Sequence, residues 1–226
     1  MHALADHRWP EVRGAALVAV PVGSLEQHGP HLPLDTDTVI ATAAVAGLPG
    51  VVAAPAIPYG ASGEHEGFPG TVSIGAAALE TVLLEYGRSI ARWAGSVLFV
   101  NGHGGNAEPV RRATTRLREE GRDAAWVACA VPGGDAHAGA TETALMLHLD
   151  PGRVRMPLAV PGETAPIAEL MPRLRAVGLA GVAANGVLGD PTGATADAGA
   201  QVLARLVDDL RGRVRRWRPG ADGELK

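Results

Sequence analysis

A short segment near the start of the sequence carries three side chains of types that bind metal ions in proteins. Glu26 and His28 lie two residues apart, so in an extended backbone their side chains point to the same face. Asp37 follows a loop with two prolines, which can return its carboxylate toward that face. Two carboxylates and an imidazole form a mixed oxygen and nitrogen ligand set that suits zinc, iron(II) or manganese. The segment therefore predicts a site for a metal of this kind.

Two later segments offer more ligands. His103 lies in the glycine-rich residues 101–106, and His137 and Glu142 lie in residues 135–143. Each of these segments follows an apolar run that is typical of a buried strand. Three ligand-rich segments at junctions between predicted strands and helices indicate a metal-dependent enzyme.

Predicted strands and helices alternate along the chain. Short apolar runs predict strands, and apolar residues at helical spacing predict helices. The predicted strands are residues 15–22, 51–57, 96–100 and 124–131. The predicted helices are residues 36–47, 75–94, 108–120, 140–149 and 195–217, and residues 151–184 are predicted to form a flap with a short helix at 167–174.

This alternation predicts a single-domain, three-layer α/β/α fold over residues 1–226, with a mostly parallel central sheet and a frayed tail at 219–226. In folds of this kind, ligands bind at the carboxyl ends of the strands. Glu26, His103 and His137 each lie just past a predicted strand. The fold class and the positions of the ligands therefore agree on a single site at one edge of the sheet.

The composition argues against several partners and locations. With 46% apolar and 19% charged residues the chain is typical of a globular protein, and its net charge of -4 offers no basic surface for nucleic acid or an anionic membrane. No apolar run approaches the roughly 20 residues that span a bilayer. Cys129 is the only cysteine and lies in an apolar run, so we expect a buried, unreactive thiol. A lone cysteine is typical of the reducing cytoplasm, which is the predicted location.

Four motifs, taken in order, resemble those of the creatininase family. They are Gly23-Ser24-x-Glu26-x-His28-Gly29, Gly60-x-Ser62-x-Glu64-His65, Asn101-Gly102-His103-Gly104-Gly105-Asn106, and His137-Ala138-Gly139 with Glu142-Thr143. The match covers nearly the whole chain. The resemblance implies the fold of that family and a metal-dependent hydrolase that cleaves a carbon–nitrogen bond.

The resemblance also implies two divalent metal ions in each subunit. Asp37 would bridge the two ions, Glu26 and His103 would hold one, and His28 would hold the other. Zinc and iron(II) are the expected metals, and manganese is a third candidate. Creatininase carries a glutamate where this chain has Gly105, and Glu142 is our candidate for the missing ligand.

Further side chains are assigned to proton transfer and to the substrate. His137 is predicted to protonate the leaving amine, because the ordinary pKa of histidine is near 6.5, or else to orient another group. Glu142 is predicted to bind metal or act as a base, with a favourable charge at a helix N-terminus as the alternative. Ser62, His65 and Gly104 are predicted to contact the substrate. The alternatives are a turn hydrogen bond for Ser62, a loop contact for His65, and a positive φ with close backbone approach for Gly104 and its neighbouring glycines.

Further motifs indicate which class of substrate the chain acts on. Residues 59–65, 132–135 and 186–192 resemble a branch of the family that removes a C-terminal Val-Tyr dipeptide from a modified ribosomal precursor peptide. Creatininase closes tryptophans over the creatinine ring, and residues 132–136 and the flap contain none. We therefore expect a peptidase, with a cyclic amidohydrolase or deformylase as the alternative. The family resemblance also implies a homo-oligomer. A catalytically silent metal-binding protein is a third hypothesis, which the retained ligands oppose.

Overall fold

The computed structural model describes residues 2–226, so the first residue of the predicted domain lies outside the described part. Its strands are β1 (His2–Ala3), β2 (Leu17–Val22), β3 (Val52–Ala53), β4 (Ser96–Asn101) and β5 (Ala124–Ala128). Its α-helices are α1 (Thr36–Ala46), α2 (Ala76–Ile90), α3 (Ala107–Glu119), α4 (Ala140–Leu149), α5 (Ile167–Val177) and α6 (Ala196–Arg216). Within residues 2–226, none of the helices combines the length and the apolarity that crossing a bilayer requires.

The five strands are parallel and form one sheet in the order β1-β3-β2-β4-β5. The longest pairing joins β2 to β4, from Leu17 opposite Ser96 to Val22 opposite Asn101. The chain leaves β2 through α1 toward β3 on one side, and leaves β4 through α3 toward β5 on the other. The connections of β2 and β4 therefore diverge. The crevice at their carboxyl ends is a topological switch point, where folds of this class bind ligands.

Alternation along the strands divides the core between the two faces of the sheet. Val18, Val20 and Val22 pack with side chains of α2 and α3, whereas Ala19 packs with side chains of α1 and α6. The helices supply Leu79, Leu83, Ile90, Val110 and Leu117 on the first face, and Ala44, Val45, Leu206 and Leu210 on the second. Helices on both faces of a parallel sheet confirm the predicted α/β/α fold class. Burying both faces holds the strand ends, and the side chains that follow them, in a fixed position.

The second predicted strand is shorter in the structure than expected. The sequence predicts a strand over residues 51–57, whereas β3 covers only Val52–Ala53, and Ile57 forms an isolated bridge with Val22. Ala54 and Ile57 are buried although their backbone has left the strand. An apolar run indicates that its residues are buried and does not by itself show that they form a strand. Here part of the buried run is a loop.

The prediction of a frayed tail at residues 219–226 is wrong. Leu225 is fully buried and belongs to the core beneath α6. Its backbone N–H donates to the carbonyl oxygen of Trp126 at 3.0 Å, and the indole N–H of Trp126 donates to the carbonyl oxygen of Asp222 at 3.1 Å. The tail therefore returns beside β5. Position at a chain end does not cause fraying where an apolar side chain can be buried.

Candidate metal centre

The loop after β2 folds back and places Asp37 beside Glu26 and His28. The backbone N–H of Glu26 donates to the carbonyl oxygen of Leu34 at 2.9 Å, which closes the loop. Asp37 lies in the first turn of α1, and the Ser24 hydroxyl donates to its Oδ2 at 2.7 Å. The start of a helix thus fixes this carboxylate above the end of β2.

Four of the predicted ligands meet at the carboxyl ends of β2 and β4. His28 Nε2 lies 3.2 Å from Asp37 Oδ1. His103 Nδ1 lies 3.2 Å from Glu26 Oε1 and 3.3 Å from Asp37 Oδ2. All four side chains are buried. Asp37 therefore faces a different imidazole with each of its two oxygens.

Glu26 provides the test of whether this cluster fits a cation. The residue is fully buried, and neither carboxylate oxygen has a hydrogen-bond partner among the described residues. A buried carboxylate without hydrogen bonds is costly. Ligand atoms of Glu26, His28 and Asp37 lie within 4.8 Å of one another, so one divalent ion can contact all three. The residues fit a metal ion, which would satisfy the carboxylate.

Two more histidines border the same carboxylate. His65 Nε2 lies 3.3 Å from Glu26 Oε1, and His137 Nδ1 lies 3.8 Å from the same oxygen. The centre of the His137 ring is 4.4 Å from that of His28 and 4.5 Å from that of His65. His65, which the sequence assigns to substrate contact, thus lies among the side chains of the metal cluster.

Gln27 orients both of these histidines. The backbone carbonyl oxygen of Gln27 lies 2.8 Å from His137 Nε2 and can only accept, so this ring nitrogen carries the proton and Nδ1 faces the cluster. The side-chain amide of Gln27 donates to His65 Nδ1 at 3.1 Å and to the carbonyl oxygen of Gly186 at 3.0 Å. Hydrogen bonds of this kind select the tautomer and direction of ligand histidines.

Glu142 enters the cluster from α4. The backbone N–H of Ala138 donates to Glu142 Oε2 at 2.6 Å, and this oxygen lies 3.9 Å from His28 Nε2. His28, His137 and Glu142 form a further group whose ligand atoms lie within 4.8 Å of one another. Glu142 is therefore part of the cluster as well as a first-turn acid of α4.

Glu64 occupies the space beside Gly105. Its Oε1 lies 3.4 Å from His103 Nε2. A Cβ built on Gly105 would lie 2.7 Å from Glu64 Oε1 and 2.5 Å from His103 Nε2. The sequence names Glu142 as the candidate for the carboxylate missing at position 105, and the structure adds Glu64, which reaches this very space from another loop.

The carboxylates favour protonated histidines in the centre of the cluster. Burial alone lowers the pKa of His28, but the carboxylate of Asp37 and two further carboxylates outweigh burial and raise the pKa to about 10. Burial likewise lowers the pKa of His103, and Glu26 and Asp37 raise it well above the ordinary value. Burial raises the pKa of Asp37, and these two histidines hold it well below its usual range. The cluster thus attracts positive charge, whether protons or a metal ion.

The pKa values of the two residues assigned to proton transfer are shifted in opposite directions. Burial lowers the pKa of His137 well below 6.5, and the neighbouring charge of His28 lowers it further. Burial raises the pKa of Glu142 to about 7, against the effect of His28. These shifts favour a neutral imidazole for His137 at neutral pH and place the pKa of Glu142 in the neutral range.

A cavity of about 730 Å³ opens over the cluster. Asp37, His103, His137 and Glu142 border it, and Gly104 lies at its exposed edge. Ser62 is fully buried and does not line the cavity, so the structure does not place it against a substrate. Cys129 lines the cavity and is half-buried, and burial raises the pKa of its thiol to about 12. An un-ionised thiol agrees with the expected lack of reactivity.

A family model described as creatinine amidohydrolase, "Creatininase", matches residues 5–214. The chain belongs to the creatininase family. A relative from Mycolicibacterium smegmatis, named mycofactocin precursor peptide peptidase, is 56% identical over 92% of this chain and 88% of its own length. A creatinine amidohydrolase from Pseudomonas putida is 30% identical over 89% of this chain and 90% of its own length.

The solved creatininase structures share the whole fold. A mutant creatininase superposes with a TM-score of 0.81 at 27% identity and covers 96% of this chain and 99% of its own. A creatininase whose title names manganese superposes with a TM-score of 0.78 at 26% identity, over 96% of this chain and 99% of its own. Family membership, which the four motifs predict, is confirmed.

The sequence gives no strong indication that Gln27 and Glu64 lie at the metal cluster. Gln27 lies between two ligands, so alternation points it away from them, and its partners His65 and His137 are 38 and 110 residues away. Glu64 stands next to a histidine in a loop rich in glycine. One feature of the sequence does point to Glu64. Glu64 is a carboxylate within one of the four motifs, and Gly105 stands where creatininase carries a glutamate.

Neighbouring glycines provide a matched pair of substitutions. The Cβ of Gly105→Ala would lie 2.4 Å from the carbonyl oxygen of Ala61, whereas nothing lies within 4 Å of a Cβ at Gly104. We expect Gly105→Ala to displace His103 and Glu64, to weaken metal binding roughly tenfold or more and to destabilise the fold by about 1–3 kcal/mol. Gly104→Ala should match the wild type in metal titration and thermal unfolding.

If Gly105→Ala and Gly104→Ala had the same metal affinity and the same thermal stability, this account of position 105 would be contradicted. Position 105 requires glycine because the backbone of Ala61 approaches it closely. Backbone conformation is not the reason, since neither Gly104 nor Gly105 has a positive φ. The expectation of positive φ in residues 102–105 is therefore wrong, and the expectation of close approach holds at Gly105.

Proposed function

We propose that the chain is a metal-dependent peptidase that acts on the mycofactocin precursor peptide. The observation that carries the proposal is the buried carboxylate of Glu26, whose two oxygens lack hydrogen bonds and whose Oε1 faces three imidazoles within 3.8 Å. A cluster of this kind is suited to a divalent cation. Relatives from three mycobacterial species at 52–56% identity carry the name mycofactocin precursor peptide peptidase. The substrate is assigned by these names and by the motifs, and the cluster supplies the chemistry.

The proposed ligands are those that meet around Asp37. Glu26 and His103 would hold one ion and His28 the other, with Asp37 between them and Glu142 or Glu64 completing the set. Titles of creatininase structures name manganese and zinc, which this oxygen and nitrogen ligand set accepts along with iron(II). Two divalent ions held by these residues would make a bound water more acidic and would polarise a carbonyl oxygen.

The chain's own residues handle the proton and the orientation of the cluster. Glu142, with a pKa near 7, can accept and return a proton at neutral pH. His137 is held by the backbone of Gln27 with Nδ1 toward the cluster, so it offers an acceptor to the substrate or to an ion. We therefore propose Glu142 as the proton carrier and His137 as a neutral partner in the same site.

The cavity has room for a segment of a peptide substrate. A volume of about 730 Å³ lies in the range of sites that hold drug-sized ligands. We further propose release of a C-terminal Val-Tyr dipeptide, action in the cytoplasm and assembly as a homo-oligomer. These three rest on the motif resemblance and, for the location, on the lone Cys129.

The test is mass spectrometry of the enzymatically modified precursor peptide incubated with metal-loaded protein. We expect free Val-Tyr to appear, to disappear with a chelator, and to return when zinc, iron(II) or manganese is added back. His28→Ala should abolish release, and His148→Ala, on α4 but outside the cluster, should not. Creatinine run in parallel tests the alternative activity. Turnover of creatinine with an intact peptide would overturn the proposed substrate.

A further inference from the structure

Helix α5 packs apart from the two faces of the sheet. Its Leu170 and Leu174 pack with Leu179, Ala183 and Leu188 in a small apolar cluster that is distinct from the clusters on the sheet. These three partners lie in the segment that follows α5 along the chain. The position of α5 beside the cavity is therefore set by that segment.

Backbone hydrogen bonds hold both ends of this following segment against the metal cluster. The N–H of Leu179 donates to the carbonyl oxygen of Glu64 at 2.8 Å. The N–H of Leu188 donates to the carbonyl oxygen of His137 at 2.8 Å, and the N–H of His137 donates back to Leu188 at 3.3 Å. Glu64 and His137 both contribute side chains to the cluster. The segment thus holds α5 at a set distance from the cluster.

Two apolar side chains of α5 border the cavity without joining a core. Ile167 and Met171 line the cavity and belong to none of the apolar clusters of the described residues. Ile167 is 43% exposed and Met171 is half-buried. Together with Leu174, which also lines the cavity, they follow spacings of four and three residues and share one face of the helix. We call these three side chains the apolar wall.

The cavity combines the apolar wall with the polar groups of the cluster. Asp37, His103 and Glu142 border it as well. Small-ligand sites have this composition, a mostly apolar lining with a few polar groups that fix orientation. A volume of about 730 Å³ encloses a ligand of drug size and not a whole precursor peptide. The shorter of the two fragments that flank the scissile amide is therefore the one that the cavity can enclose.

The side chains of the apolar wall favour an aromatic ring. The thioether of Met171 is polarisable and adapts its shape, and methionine sulfur makes favourable contacts with aromatic rings. Ile167 and Leu174 offer branched apolar surface on either side of Met171 along the helix. A ring that binds here covers apolar surface that otherwise contacts water.

We propose that the apolar wall binds the aromatic ring of the released Val-Tyr fragment, so that Met171 and Ile167 select which peptide end is cleaved. The assignment rests on the proposed peptidase function. With the ring against α5, the scissile amide lies toward Asp37 and Glu142. The span between ring and amide is then set by the segment that holds α5 to the cluster.

The first experiment measures release of the fragment from the modified precursor peptide by metal-loaded protein. Met171→Gln keeps the length and the helix propensity of the side chain and makes it polar. We expect Met171→Gln and Ile167→Gln each to raise KM roughly tenfold, with a smaller change in kcat and unchanged metal content. Met171→Leu should recover most of the lost affinity, because it restores an apolar side chain of similar volume. Val177→Gln is the matched control, since Val177 is exposed on α5 and does not line the cavity.

The second experiment identifies which fragment the apolar wall holds. The released fragment and the shortened peptide are purified from the wild-type reaction, and each is used as an inhibitor. We expect Met171→Gln to raise the inhibition constant of the released fragment by the same factor as KM. The inhibition constant of the shortened peptide should stay at its wild-type value.

Wild-type KM in both glutamine variants would overturn the role of the apolar wall and leave the peptidase function standing. Loss of kcat and of metal content in Met171→Gln would also overturn it, because support of the cluster alone predicts that pattern. An unchanged inhibition constant for the released fragment would overturn its assignment to the wall. Absence of any cleavage by metal-loaded wild type would overturn the proposed function and, with it, the role of the wall.

Discussion

Asp37→Asn is expected to lower kcat/KM roughly a thousandfold, which corresponds to about 4 kcal/mol of lost transition-state stabilisation. The substitution keeps the size of the side chain and removes the charge that faces both His28 and His103. Without it the cluster loses one of its strongest attractions for positive charge. Metal content per chain, measured by elemental mass spectrometry after equilibration with zinc or manganese, should fall together with the activity.

Asp35→Asn is the matched control for this variant. Asp35 lies two residues earlier, outside the cavity, and its carboxylate pairs with Arg153. Its amide variant should keep the metal content and the activity of the wild type. A folded Asp37→Asn protein, shown by thermal unfolding, with full metal content and activity within tenfold of wild type would contradict the role given to Asp37.

Glu142→Gln is expected to reduce kcat about a hundredfold or more, which is the usual effect of removing a group that transfers protons. Burial raises the pKa of Glu142 to about 7, so the carboxylate form that accepts a proton is depleted below that pH and predominates above it. The kcat/KM of the wild type should therefore rise with pH through about 7. That rise should be absent in Glu142→Gln, as measured by dipeptide release across the pH range.

Glu169→Gln separates this role from a favourable charge at a helix start. Glu169 occupies the first turn of α5, as Glu142 occupies that of α4, but it is exposed and lies outside the cavity. Its variant should keep both the rate and the pH profile. If Glu142→Gln retained the rise through pH 7 at a rate close to wild type, the proton would have to be carried by another group.

The sequence predicts those parts of the molecule that follow from local patterns. Val18, Val20 and Val22 alternate with Ala19 in a short apolar run, and such a run reports a strand buried on both faces. Glu26, His28 and Asp37 lie within twelve residues, so a single loop suffices to join them. His103 follows from the general position of sites at strand ends. For these side chains, local geometry and the fold class predict the same location, the carboxyl ends of the strands.

The other contacts depend on how distant segments pack. Glu64 meets His103 across 39 residues, and Gln27 meets the His137 ring across 110. Sequence spacing gives no measure of such distances, because they are set by the packing of one loop on another. The shifts in pKa also depend on packing: His137 and Glu142 move in opposite directions because burial penalises the charged form of each. The sequence names His137 as the acid and Glu142 as a base or metal ligand, and the directions of the two pKa shifts favour Glu142 as the group that exchanges a proton near neutral pH.

The central claim is that the cluster at the ends of β2 and β4 holds divalent metal ions. Crystals of protein loaded with zinc or manganese and measured at the absorption edge of that metal test it most directly. The account predicts anomalous peaks between Glu26, Asp37 and His103 and between Asp37 and His28, within about 2.0–2.3 Å of the ligand atoms. No anomalous peak at these side chains, in protein that releases the dipeptide in solution, would contradict it.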